Sequence, residues 1–267
     1  MTLAFDTDRP VIGMVHLDPL PGAPAFDGDR VAVRDAMIRD AHRLEAGGVD
    51  GLVVENFGDA PFYADDVPKH VVASMTALVD DLARTVDLPL GVNVLRNDAE
   101  AALSIAAATD ASFVRVNVHV GARLTDQGVV TGAAPETVRL RDRLDADVSI
   151  LADVAVKHSA ALAERSLEEA VTELVGRGHA DGIIASGVGT GQETDREHLE
   201  AVVAARDELD SDVPVFVGSG VTSDTVADML SLADGVVVGT ALKESGTTTA
   251  PVDEERVRDL VAAARPD

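Results

Sequence analysis

The 267-residue sequence predicts an α/β protein made of one domain over residues 1–267, a (β/α)8 TIM barrel, on three observations. Eight short apolar runs bounded by turn residues recur along the chain, and stretches with helical spacing separate them. The runs are apolar almost throughout, as strands are when both their faces are covered. Eight such units closing on themselves make the barrel. No linker, low-complexity tract or repeat beyond the strand–helix period divides the chain.

The first run, PVIGMVHL (10–17), ends near His16. In the segment after it, RDAMIRDAHRLEAGG sets Met37, Ala41 and Leu44 on one helical face, with Gly47 as the stop. GVDGLVVEN (48–56), LPLGVNVL (88–95), SFVRVNV (112–118) and VSILADV (148–154) supply strands two to five. After the fifth, SLEEAVTELVGRG offers Ser166 and Glu169 as a capping box and Val171, Leu174 and Val175 as the buried stripe. ADGIIAS (180–186), VPVFVGS (213–219) and ADGVVVGT (233–240) complete the set. The competing topology, a doubly wound sheet, would carry a Gly-rich first turn if it bound a dinucleotide. The glycine-crowded SGVGTGQ at 186–192 lacks that spacing and follows the sixth run.

Composition narrows the setting. There are 47 acidic and 22 basic residues, a net charge of −25, and only three of the basic residues are lysine. Such a chain repels nucleic acid and anionic membranes. The acids are dispersed over helix faces, as in DDLARTVD, which fits a protein of a high-salt cytoplasm where screening relieves self-repulsion. No apolar run approaches eighteen residues, so no membrane insertion is expected, and cysteine is absent. A cytoplasmic location follows as the expectation. Barrels commonly associate through exposed helices, so a homo-oligomer is expected as well.

In a barrel the working face is the C-terminal end of the strands, and the loops after strands seven and eight commonly hold a phosphate. Here those strands end in Gly218-Ser219-Gly220 and in Gly239-Thr240, where bare backbone N–H groups can approach an anion, with Lys243 nearby to add charge. Alternation along the fourth strand puts Arg115, Asn117 and His119 on one face, and along the fifth it aligns Asp153 with Lys157 if the strand reaches that far. The first, second, third and sixth strands bring His16, Glu55-Asn56, Asn93 and Ser186-Gly187 to the same end. Two accounts compete for this group: an Arg115–Glu55 or Arg115–Asp153 ion pair that holds the barrel, or a site in which Asp153, Glu55, Lys157 or His16 moves protons while asparagines bind hydroxyls. Lys157 could serve as a Schiff-base nucleophile, a proton donor or an anion clamp. No cofactor is indicated, although Glu55, Asp153 and a histidine would also suit a divalent metal. The long segments after strands one and two hold Phe26, Phe57, Phe62 and Tyr63, suited to a lid or to a subunit contact.

VIGMVHLDPLPGAP (11–24), VVENFGDAPF (53–62), VRVNVHVGARLTDQGVVTG (114–132), ADVAVKHS (152–159) and DGVVVGTALK (234–243) together resemble the BtpA/SgcQ family over essentially the whole chain. The resemblance implies a barrel related to the ribulose-phosphate-binding group. It also marks His16, Glu55, Asn56, Asn117, Asp126, Gln127, Asp153, Lys157, His158, Gly239, Thr240 and Lys243 as site residues. The expected partner is a small phosphorylated metabolite, turned over by isomerisation, epimerisation or aldol cleavage. A non-catalytic assembly protein, as the family's photosystem label suggests, and a metabolite sensor are the rivals.

Overall fold

The computed structural model describes residues 5–154, 159–163, 165–186, 195–209 and 211–265. Eight parallel strands close into a barrel: β1 (Val11–His16), β2 (Gly51–Glu55), β3 (Leu90–Asn93), β4 (Phe113–Val116), β7 (Ser149–Asp153), β9 (Gly182–Ala185), β10 (Val215–Val217) and β11 (Gly235–Val238). Each falls inside one of the eight apolar runs. The ring order is β1-β11-β10-β9-β7-β4-β3-β2. Three further strands were not expected from sequence. The hairpin β5 (Ala122–Thr125) and β6 (Gly128–Thr131), with the short β8 (Ala160–Ala161), forms a separate antiparallel sheet beside the ends of β4 and β7.

Outside the ring lie α1 (Arg30–Gly47), α2 (Lys69–Ala83), α3 (Ala99–Thr109), α4 (Ala134–Leu144), α5 (Leu167–Thr172), α6 (Arg196–Asp207), α7 (Val226–Leu230) and α8 (Glu254–Ala264). Four of the eight have an aspartate N-cap. Asp29 accepts from Val31 and Ala32 N–H, and Asp98, Asp195 and Asp253 do the same for α3, α6 and α8. The Ser166–Glu169 capping box forms as expected, and Val171 and Leu174 are buried beneath it. The stop of α1 is Gly48 rather than Gly47, because Gly48 takes the left-handed conformation (φ 91°) that closes a helix.

Side-chain alternation sorts the barrel into an apolar plug and a polar mouth. Ile12, Met14, Val53, Phe113, Leu151, Ile184, Phe216 and Val237 form one inner cluster. Phe5 closes it from the N-terminal side, edge-on to Phe113 with centroids 5.7 Å apart. The Phe113 ring fits because its neighbour on β3 is glycine: a Cβ on Gly91 would lie 2.2 Å from the ring.

The opposite rim of the barrel carries a repeated device. In each of Asp50-Gly51, Asp181-Gly182 and Asp234-Gly235, the aspartate precedes a strand and accepts an N–H from the start of the adjacent one. The donors are Val11, Ile150 and Val215, each at 2.8 Å. Each carboxylate also meets an arginine, namely Arg265, Arg141 and Arg206 in turn. These clamps tie strand starts at the end away from the mouth.

Gly91→Ala should lower the unfolding free energy by about 2 kcal/mol, since a fully buried ring has nowhere to move. Urea unfolding checks this: the expected result is a lower midpoint at an unchanged slope.

Candidate active site

The inward positions after the plug are polar on six strands: His16, Glu55, Asn93, Arg115 and Asn117, Asp153, and Ser186. On β10 and β11 the corresponding residues are Gly218 and Gly239. They face the C-terminal end of the barrel, where a cavity of about 850 Å³ opens. Its wall includes His16, Glu55, Arg96, Arg115, Asn117, Gly218, Ser219, Gly220, Gly239 and Thr240.

Of the two expected ion pairs, Arg115–Asp153 is the one with direct contact. Arg115 donates from Nε to Asp153 Oδ2 and from Nη2 to Oδ1, each at 3.0 Å, with both side chains buried. Burial disfavours the guanidinium charge, but the Asp153 carboxylate outweighs it and holds the pKa above the ordinary arginine value. Asp153 is further saturated by Ser186 Oγ at 2.7 Å and Asn117 Nδ2 at 3.4 Å. Asp153 and Ser186 therefore brace the mouth. Asn93 donates to Arg115 O (3.0 Å) and Asn117 Oδ1 (3.1 Å), which leaves its own Oδ1 buried without a hydrogen-bond partner.

His16 and Glu55 meet at the cavity wall. A backbone carbonyl only accepts, so the contact of His16 Nδ1 with Thr248 O at 3.2 Å places the proton on Nδ1. His16 Nε2 then looks toward Glu55 Oε1 at 3.7 Å. The pair lies at the cavity wall under Phe57, whose ring centroid is 4.8 Å from that of His16. Phe62 lines the same cavity, whereas Phe26 packs against the outer core and Tyr63 is exposed.

Several sequence expectations are corrected. Lys243 does not reach the glycine cradle: it is 1% exposed, and Nζ donates at 2.8 Å to Asp40 on α1, whose other oxygen accepts Val252 N–H. Asn56 is buried, with its oxygen on Leu95 N–H (2.7 Å) and its nitrogen on Asp59 (3.1 Å), so it anchors the loops after β2 and β3. His119 lies beyond the end of β4, where the two-residue alternation no longer holds, and turns to Gly178 O at 2.8 Å. Asp126 and Gln127 form the turn of the β5–β6 hairpin. Lys157, His158 and Gly187 lie outside the described residues.

Arg96 was missed because the apolar run was closed at Leu95. It follows β3, half-buried in the cavity wall. Burial lowers its pKa from the ordinary arginine value, opposed by the charges of Asp153, Glu55 and Asp126. The signal available was position alone: an arginine directly after a barrel strand. Among the described residues, no group of three or more His, Asp or Glu side chains is placed to hold a metal ion. None of the described helices is long and apolar enough to cross a membrane.

A family model described as the BtpA family matches residues 7–266. The photosystem I biogenesis protein BtpA of Synechocystis is 46% identical over 97% of this chain and 89% of its own. The putative sgc region protein SgcQ of Escherichia coli is 33% identical over 96% and 94%. Among solved structures, phosphoribosyl anthranilate isomerase from Thermus thermophilus superposes with a TM-score of 0.56 at 12% identity. That match covers 95% of this chain and 97% of the isomerase and supports the barrel alone.

Two measurements check the electrostatics. Lys243→Met should cost about 3 kcal/mol of stability, because it strands the Asp40 carboxylate, and adding Asp40→Leu should recover part of that loss. Both are read from denaturant midpoints. Burial also lowers the His119 pKa, so below about pH 6.5 the unfolded chain takes up a proton that the native one refuses. Stability should fall as pH drops from 7 toward 5, and His119→Gln should flatten that fall by up to about 1.4 kcal/mol per pH unit.

Proposed function

The chain belongs to the BtpA family, and from that premise we propose that it is an enzyme acting on a phosphorylated sugar or similar small phosphometabolite by isomerisation, epimerisation or aldol-type proton transfer. One observation carries the reading. A single cavity joins the glycine-ended strands β10 and β11 to the His16–Glu55 pair on the adjoining β1 and β2.

The phosphate would rest on the backbone of Ser219–Gly220 and Gly239–Thr240, beyond Gly218, whose N–H donates to Ala185 O at 2.8 Å, and Gly220 takes a positive φ (69°) that glycine adopts without strain. The carbonyl end would then lie over His16 and Glu55. With Nδ1–H held by Thr248, His16 Nε2 is the basic nitrogen that takes or returns a proton, and Glu55 stabilises the imidazolium that results. The orphaned Asn93 Oδ1 supplies an acceptor for a substrate hydroxyl if the mouth rearranges on binding. Asp153 keeps Arg115 and Asn117 in place. The phosphate named for the neighbouring isomerase barrel agrees with this reading.

The second reading, a non-catalytic assembly protein, draws on the name of the Synechocystis relative. One experiment separates the two. A thermal-shift panel of sugar phosphates, free sugars and inorganic phosphate finds the ligand. Solvent deuterium incorporation into that ligand then reports proton transfer. The expected outcome is a rise in Tm with a phosphorylated sugar, abolished by Gly239→Asp in a folded protein, and exchange that Glu55→Gln slows at least a hundredfold. No shift with any phosphorylated sugar would sink the proposal, and binding without exchange would leave the scaffold or sensor readings.

A further inference from the structure

Resting on the phosphate reading above, we propose that Arg256, on the first turn of α8, is the cation of the phosphate site and fills the place expected of Lys243.

With Lys243 buried against Asp40, the glycine-ended strands leave the cradle without a positive charge of their own. The surroundings make one necessary. Asp224, Asp253, Glu255 and Asp259 line the same cavity, so a phosphate approaching the cradle meets like charge that backbone N–H groups alone would have to offset. Among the described residues of the wall, the guanidinium groups are those of Arg96, Arg115 and Arg256. Arg115 is spent on Asp153, and Arg96, three strands round the ring from β11, sits in the field of Glu55, Asp153 and Asp126. Arg256 stands at the cradle itself: its Nη1 donates at 3.4 Å to the carbonyl of Ala241, the residue directly after Thr240.

The contacts Arg256 already makes are ones a phosphate can displace. Its Nε lies 3.8 Å from Asp253 Oδ2, beyond hydrogen-bond distance, and the two side chains are 46% and 36% exposed. An exposed ion pair of that kind contributes little in water, and 3.4 Å is long for an N–H on a carbonyl. A phosphate accepts two parallel hydrogen bonds from one guanidinium and answers its charge as well.

The backbone that carries Arg256 is fixed in advance, as a recognition side chain requires. Asp253 N–H donates to Leu242 O at 2.8 Å, which fastens the start of α8 to the turn that ends the cradle. The Asp253 carboxylate then accepts the Glu255 and Arg256 N–H groups. Just before it, Val252 is gripped from α1 on both sides: its N–H donates to Asp40, and its carbonyl accepts from Arg43 at 2.6 Å. Lys243 meets the same Asp40, so the buried lysine belongs to the frame that holds the arginine in place.

Calorimetric titration with ribose 5-phosphate, glucose 6-phosphate and glycerol 3-phosphate tests the proposal, with ribose, glucose and glycerol as controls. At least one ester should bind the unaltered protein more tightly than its parent. For that ester Arg256→Gln should raise Kd about tenfold or more, and Arg256→Lys, which keeps the charge without the fork, should raise it less. Glu255→Gln alters the same helical turn without removing the cation and should leave Kd unchanged or lower it. A melting curve for each variant establishes that it is folded. A smaller rise with Arg256→Gln, where Gly239→Asp abolishes binding, overturns the role of Arg256 and leaves the cradle standing. An equal loss with Glu255→Gln overturns it too, since the effect would then be one of helix structure. If none of the three esters binds, the phosphate reading falls and this inference falls with it.

Discussion

The buried pairing of Arg115 with Asp153 is the constraint around which the mouth is arranged. A guanidinium inside a barrel is tolerable only when its charge and its directed N–H groups are met, and one carboxylate on the next strand of the ring meets them. The rest of the polar layer follows from that pair. Ser186 of the strand beyond donates to the same carboxylate, Asn117 leans on it, and Asn93 fastens the third strand to the Arg115 carbonyl. Four adjacent strands are thereby cross-linked by side chains just where their backbone pairing runs out. Beneath them the plug of Phe113, Phe216 and aliphatic residues keeps water from entering along the axis.

This division of labour separates two carboxylates that look equivalent in sequence. Asp153 and Glu55 both end a barrel strand and both point inward; Asp153 accepts from Arg115 and Ser186, and Glu55 lies 3.7 Å from the His16 imidazole. A carboxylate covered by donors is a brace. A carboxylate beside a histidine whose other nitrogen is already assigned is suited to proton transfer. The partition comes from neighbours contributed by other strands, not from the residues themselves.

The barrel was legible because its determinants are local. Apolar runs between turn residues marked all eight ring strands, and period-two alternation placed His16, Glu55, Arg115, Asn117 and Asp153 at one mouth. What escaped lies beyond the strand ends. His119, Arg96 and Lys243 sit on irregular backbone, whose side-chain direction no period governs, and Lys243 answers to an aspartate 203 positions away. The hairpin 122–131 was hidden for another reason: its alternation is short and it follows directly on an expected strand. Its Asp126-Gln127-Gly128 turn was the available sign. Asn56 misled because a buried amide that pins two loops and an amide that binds a ligand have the same sequence signature.

The acid excess, read from composition as a matter of solvent, is partly architectural. Aspartates cap α1, α3, α6 and α8, and three more join strand starts at the rim opposite the mouth. Each of those three links one strand–helix unit to the unit before it, with the arginine partner supplied from α4, from α6 and, for Arg265, from the residue just after α8. Three of the eight seams are therefore encoded twice, once in the backbone ladder and once in portable side-chain locks. A barrel joined in this way is modular: a break in a surface connection would leave fragments that still carry matching halves of each lock, so reassembly from separate pieces is built into the rim.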